Sequence, residues 1–243
     1  MNIKGYIEGV FGKKRNYYKI LTPRKKSNLY FILFHGSYSS SYNSEKDEII
    51  AKLIINENLG NVILYETSRQ IYTFESSLPF EEYKNVFGPK TFQQELQDVK
   101  TLFQFFRKTF IKGNNLIFVG FSLGGTLSSY FLPTYGKHIK KVFLFNSGIT
   151  TKIKGSTYSH YPNKEEILEN FASYSGEIVL VQGRGDSVVP QDEATEILDI
   201  AKETSSTELI RLKGIDHSFR KIDGKLAISQ IAEKIFEIIR SRS

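Results

Sequence analysis

The sequence predicts an α/β protein, a mostly parallel sheet with helices on both faces. Three observations carry that expectation. Short apolar runs of strand length alternate at a regular pace with longer segments whose apolar residues recur at helical spacing. One of those runs, residues 29–35, is apolar almost throughout, as suits a central strand covered on both faces. The 243 residues contain no internal repeat, low-complexity segment or linker, so a single domain over 1–243 is expected, with enough chain to bury a large core.

The elements follow in order. Residues 3–10 and 17–21 read as two strands around the turn Gly12-Lys13-Lys14, an antiparallel hairpin. A polar turn at 23–28 leads into the strand at 29–35. Residues 44–58 place Ile49, Ile50, Leu53 and Ile54 at helical spacing, and Gly60 ends that helix before a strand at 61–66. A long helix is expected at about 91–110, a strand at 115–119 and a helix entered through small residues after Ser122. Strands at 141–145, 178–182 and 208–212 alternate with helices at about 164–173 and 191–204, and a closing helix covers about 226–240. Two stretches, 67–90 and 147–163, resist assignment. Both are expected over the carboxyl ends of the strands, where ligands bind in such sheets.

Composition excludes several chemistries. Cysteine is absent, which removes disulfides, thiolate metal sites and a cysteine nucleophile, and fits a reducing compartment. The N-terminus has no continuous apolar stretch of the kind a signal peptide needs, and the longest apolar run is too short to span a bilayer, so a cytoplasmic protein is expected. The formal charge of +7 is concentrated: residues 1–44 hold eight basic side chains and one acid, and the remainder is balanced. Such a segment reads either as a solvated hairpin with a lysine-protected edge or as a weak contact for an anionic surface. No nucleic-acid partner is expected.

The chemistry is concentrated at Gly120-Phe121-Ser122-Leu123-Gly124. Strand, G-x-S-x-G, helix is the setting of a nucleophile elbow, where a serine on a sharp turn projects its hydroxyl clear of the sheet. A serine needs an adjacent base, and the base an orienting acid. Of the four histidines, His217 alone sits beyond the last strand and before the last helix; His35 ends a central strand, His138 lies in a helix-end turn and His160 in a loop. Asp186, in the loop directly after the strand at 178–182, is the expected acid. Asp216 is the rival, but a sequence neighbour rarely reaches its own histidine ring. The oxyanion donors are expected at the Leu123 N–H and the Ser37 N–H, with Tyr38 second for that role. Tyr38 and Phe121 are also expected to meet substrate. Glu66 and Arg69, at a strand end, read as a solvated pair or as contacts for a charged substrate.

With these residues placed, the chain resembles the α/β-hydrolase family from about residue 29 to 240, through four ordered motifs: His35-Gly36, Gly120 to Gly125, Gly183 to Pro190, and Asp216 to Phe219. The resemblance implies an eight-stranded sheet whose second strand is antiparallel. It also implies Ser122 as nucleophile, Asp186 as acid and His217 as general base. Some members place the acid where this chain has Asn146, which cannot serve. Only about twenty residues are available where many members insert a cap, so a compact enzyme with an open or loop-covered site is expected.

Other motifs fail. Gly120 to Gly125 has phosphate-loop spacing, but Thr126 stands where a lysine is required; Gly183 and Gly185 lack the third glycine of a dinucleotide fingerprint. No His-Glu-x-x-His or cysteine cluster points to a metal, and the chemistry requires no cofactor. The expected activity is hydrolysis of small-molecule carboxylic esters or thioesters. Alternatives on the same residues are a peptidase, an amidase or an acyltransferase. A non-catalytic binding protein would be the expected reading only if one of the three residues were missing.

Overall fold

The structure is a computed structural model. It describes all residues except 1, 38, 43, 70–72, 74–77, 80–81, 83–84, 86–89, 114, 150–161, 202–205, 222, 226, 229–236 and 238–243. Most of the two unassigned stretches and of the expected closing helix, together with Tyr38 and His160, therefore lie outside the described residues.

Eight strands form one sheet: β1 (Asn2–Glu8), β2 (Arg15–Leu21), β3 (Tyr30–Phe34), β4 (Asn61–Glu66), β5 (Leu116–Phe121), β6 (Ile139–Phe145), β7 (Glu177–Gly183) and β8 (Thr207–Leu212). Their order is β1-β2-β4-β3-β5-β6-β7-β8. β2 runs antiparallel to both β1 and β4, and every other pairing is parallel. The hairpin turn holds Gly12 and Lys13 at positive φ (60° and 56°), with Lys14 N–H donating to Phe11 O at 3.1 Å. Two successive positive φ values match the right-handed twist of the flanking strands.

Helices cover both faces. α1 (Glu45–Asn56) packs Ile50, Ala51 and Ile54 on one face, beside Phe219 and Ile228. The other face carries α2 (Phe92–Thr109), α3 (Leu123–Ser129), α4 (Leu132–Tyr135), α5 (Lys164–Ala172) and α6 (Gln191–Ala201). The start of α2 is set by a reciprocal cap: Thr91 Oγ1 accepts from the Gln94 N–H at 3.1 Å, and Gln94 Oε1 accepts from the Thr91 N–H at 2.9 Å. α4 is an addition to the sequence reading; Pro133 at its start suits a short helix, because its missing N–H would have no partner there.

β3, β5, β6 and β7 are buried along nearly their whole length, as their apolar runs require. Their carboxyl ends bring His35, Ser122, Asn146 and the loop after Gly183 to one rim of the sheet.

Candidate active site

β5 ends on Phe121, and Ser122 continues its pairing by donating its N–H to Phe145 O at 2.9 Å. The chain then reverses into α3 within one residue. Ser122 takes φ 50° and ψ −119°, a conformation that L-residues adopt only at a cost of roughly 1–3 kcal/mol. The flanking glycines make this bend possible. A Cβ on Gly124 would lie 2.1 Å from Phe34 O, and one on Gly120 would lie 2.6 Å from the Gly125 nitrogen.

Two loops bring the partners. The carboxylate of Asp186 is held by the Val188 and Val189 N–H groups, which donate to Oδ1 at 2.8 and 3.0 Å. Its other oxygen, Oδ2, accepts from His217 Nδ1–H at 2.9 Å. A carboxylate is an acceptor only, so this contact sets the ring tautomer and leaves Nε2 to accept from the Ser122 hydroxyl at 3.0 Å. The Asp186 side chain is fully buried while that of His217 is 24% exposed, so the relay is dry at its acid end and open at its imidazole. Asp216 is occupied elsewhere: its Oδ1 accepts from the Arg220 N–H at 2.7 Å and shapes the histidine turn.

The Leu123 N–H is the first of α3 and has no acceptor within the helix. Ser37 follows Gly36, whose Cα runs so close to the nucleophile that a Cβ there would be 3.4 Å from Ser122 Cβ. Both N–H groups thus belong to segments adjoining the serine. Phe121 requires a correction. Its ring is turned into the core, 1% exposed, stacked on Phe145 at 4.8 Å and edge-on to Phe219 at 6.0 Å, so it supports the elbow from below and presents no wall to substrate. Tyr38 lies outside the described residues. Among the described residues no group of three or more His, Asp or Glu side chains is arranged to hold a metal ion, and no helix is long and apolar enough to cross a membrane.

Solved structures of the same fold superpose along nearly the whole chain. Est1E from Butyrivibrio proteoclasticus, solved with ferulic acid bound, superposes with a TM-score of 0.70 at 13% identity, covering 98% of each chain. A Pyrococcus furiosus esterase gives 0.68 at 14% identity over 98% of this chain and 90% of the other. The chain has the α/β-hydrolase fold. A Bacteroides ovatus protein described as a dipeptidyl aminopeptidase IV gives a TM-score of 0.71 at 12% identity; the hydrolase fold of this chain spans 36% of its length. No protein-family model and no curated sequence matches the chain.

Two features of this hydrolase fold escaped the sequence reading. The first is Asn146, at the end of β6 with φ 42°, a left-handed conformation that asparagine tolerates. Its Nδ2 donates to Asp216 O at 2.9 Å and His217 O at 3.0 Å, and its Oδ1 accepts from the Gly183 N–H at 2.7 Å. One buried side chain thereby ties the histidine loop to the strand that leads into the acid loop. Lacking a carboxylate, it carries no signal in the sequence.

The second is a buried ionic cluster behind the loop 36–39. Glu95 Oε1 lies 2.9 Å from His35 Nε2, and Oε2 lies 2.8 Å from Lys90 Nζ and 3.4 Å from Arg69 Nε. Asp98 pairs with Lys90 and accepts from the Val10 N–H at 2.8 Å and Asn16 Nδ2 at 3.1 Å. Arg69 Nη2 reaches His35 Nδ1 at 2.9 Å and Ser39 O at 3.0 Å. Burial, and then the Arg69 charge, hold His35 below the usual histidine range; the neutral ring donates Nε2–H to Glu95. Glu95 is held well below the usual carboxylate range: burial opposes its charge, but Arg69, Lys90 and His35 outweigh that. The available signal was helical. Glu95 and Asp98 fall on the same stripe of α2 as Leu102 and Phe106, where a solvated acid does not belong.

Glu66 and Arg69, read as a solvated pair or substrate contacts, are both fully buried. Burial, only partly offset by Arg69 and by Ser40 near the carboxyl, pushes the Glu66 pKa up to about 7 from 4.5. The folded state therefore favours the protonated acid. This contribution to stability is complete below pH 4.5 and is lost as pH rises to about 7. Glu66→Gln keeps the shape without the proton. In urea titrations its stability relative to wild type is expected to climb by about 3 kcal/mol between about pH 4 and 7.5. A difference that does not change with pH would refute the assignment.

Proposed function

We propose that the chain is a serine hydrolase of carboxylic esters that works through an acyl-enzyme. The observation that carries this reading is the hydrogen-bonded relay from Ser122 through His217 to Asp186, at 3.0 and 2.9 Å, on the strand-end rim of an α/β-hydrolase fold. Ser122 Oγ attacks the acyl carbon while His217 Nε2 takes its proton. Asp186 holds the ring and stabilises its charged form, and the Leu123 and Ser37 N–H groups receive the developing oxyanion. His217 then protonates the leaving alcohol, and water repeats the sequence on the acyl-enzyme. Esterase neighbours of the same fold support the ester class, and the dipeptidyl aminopeptidase neighbour supports the peptidase alternative, since the relay serves both. The test is labelling with a fluorophosphonate probe, which should modify wild type at Ser122, combined with a panel of aryl esters and fluorogenic peptides. Labelling at another residue would overturn the reading, and faster peptide than ester turnover would move it to the peptidases.

On this reading Asn146 is a positioning residue. Asn146→Ala is expected to lower kcat by about tenfold to a hundredfold with little change in KM, because lost alignment is felt in the transition state. Asn146→Asp should be no better, since a carboxylate cannot donate to the Asp216 and His217 carbonyls. Full activity in both variants would exclude the role.

A further inference from the structure

A cavity of about 320 Å³ lies on the α1 side of the sheet, between β1, β2 and the outer face of α1, and none of the residues of the Ser122 relay lines it. Leu21, Leu64 and Ile55 contribute apolar lining; Lys4, Lys19 and Lys52 contribute three ammonium groups and Glu48 one carboxylate. Lys4 and Lys19 are direct cross-strand partners, so two like charges face each other on one side of the ladder. Such a pair is destabilising unless something compensates it. No acidic side chain among the described residues lies within ion-pair distance of either lysine, and Glu48 is already engaged by Lys52 at 3.1 Å.

A lysine on edge strand β1 is ordinary protection against strand pairing. That account covers Lys4 but not Lys19, which sits half-buried on the inner strand β2 with its ammonium over the Tyr42 ring at 4.8 Å. Burial, reinforced by Lys4 and Lys52 and opposed by Glu48, lowers the pKa of Lys19. Within the chain the pair is offset only in part, by the Tyr42 ring and the field of Glu48, and facing cations beside apolar lining suit an anionic ligand. It also gives the +7 of the N-terminal segment a focus, because Lys4 and Lys19 turn one face of the hairpin toward Lys52 on α1.

We propose that this cavity binds a small soluble phosphate monoester. The three lysines less the one glutamate leave a net charge of two to be neutralised, which matches the roughly −1.5 to −2 of a phosphate monoester near neutral pH. The apolar lining accommodates an organic body beside the phosphoryl group, and the volume is that of a small-ligand site.

The test is calorimetric titration of the full chain with phenyl phosphate and with inorganic phosphate at constant ionic strength, with chloride as the control. Saturable one-site binding is expected, tighter for phenyl phosphate because of the apolar lining. Lys4→Met/Lys19→Met should weaken it at least about tenfold. Lys52→Met, which leaves the sheet untouched, should weaken it as well. Lys25→Met/Lys26→Met, which removes equal charge from the turn before β3, should leave it within about twofold of wild type. Equal weakening by the two double variants would reduce the effect to general charge and overturn the site, as would the absence of saturable binding in wild type. In ligand-free protein Lys4→Met should be at least as stable as wild type, because it relieves the facing pair; a clear loss of stability would show that the pair is compensated within the chain and would also overturn the proposal.

Discussion

Ser122→Ala is expected to lower kcat/KM toward aryl esters by roughly 10⁴- to 10⁶-fold, the range lost when a nucleophile that acts as a unit with its base is removed. Fluorophosphonate labelling should disappear with it. The fold should not suffer. Ser122 contributes one hydroxyl hydrogen bond, to a histidine that is partly exposed, and alanine must adopt the same φ of 50° as serine. The melting temperature should therefore stay within a few degrees of wild type, which separates loss of chemistry from loss of structure. Retained turnover in a clean, folded preparation of this variant would end the serine-hydrolase reading. The elbow itself would stand, because its strain and its glycines are properties of the backbone.

Glu95→Ala is expected to have the largest effect on stability, about 3–5 kcal/mol. Around the buried cluster two acidic side chains, Glu95 and Asp98, face two basic ones, Arg69 and Lys90, with His35 neutral, so the cluster is matched acid to base inside the core. Removing Glu95 leaves one cation unmatched in a site that water does not reach. Set against a typical domain stability of about 5–15 kcal/mol, such a loss takes a large share. Glu95→Gln should fall between alanine and wild type, since an amide can still accept from Thr67 Oγ1 and His35 but cannot balance the charge. Guanidinium unfolding followed by circular dichroism measures both. A loss under about 1 kcal/mol for Glu95→Ala would mean that the cluster is hydrated or rearranges. Because Arg69 also holds Ser39 O, loosening the cluster should reach the loop 36–39 that carries a proposed oxyanion donor.

The elements of the sheet were legible because their signals are local. Apolar runs bounded by turn residues marked β3 to β8 to within two residues, and spacing marked α1, α2, α5 and α6. The order of the strands was not legible. Nothing in the sequence of β4 states that it lies between β2 and β3, because edge and centre differ by what packs on them; the N-terminal hairpin was legible from its turn, and only the family resemblance set its second strand antiparallel within an eight-stranded sheet. Phe121 was misread for a related reason: its neighbour Ser122 faces the rim, and at so sharp a turn adjacent side chains point to opposite sides.

By itself the sequence determined the strand-turn-helix at Ser122, since a bend in which a Cβ would strike backbone at 2.1 Å demands glycine at 124, and glycine can be read directly. It also determined the candidate base and acid through their positions after β8 and β7. Only the tertiary structure decided which carboxylate faces His217, because Asp186 and Asp216 are the same chemical group and differ in what lies within 3 Å: a ring nitrogen for one, the Arg220 N–H for the other. The same holds for Asn146, for the buried Glu95 cluster and for Lys4 opposite Lys19. Each is defined by partners far away in sequence, and hydrogen bonds, charge balance and cross-strand register exist only once the chain has brought those partners together.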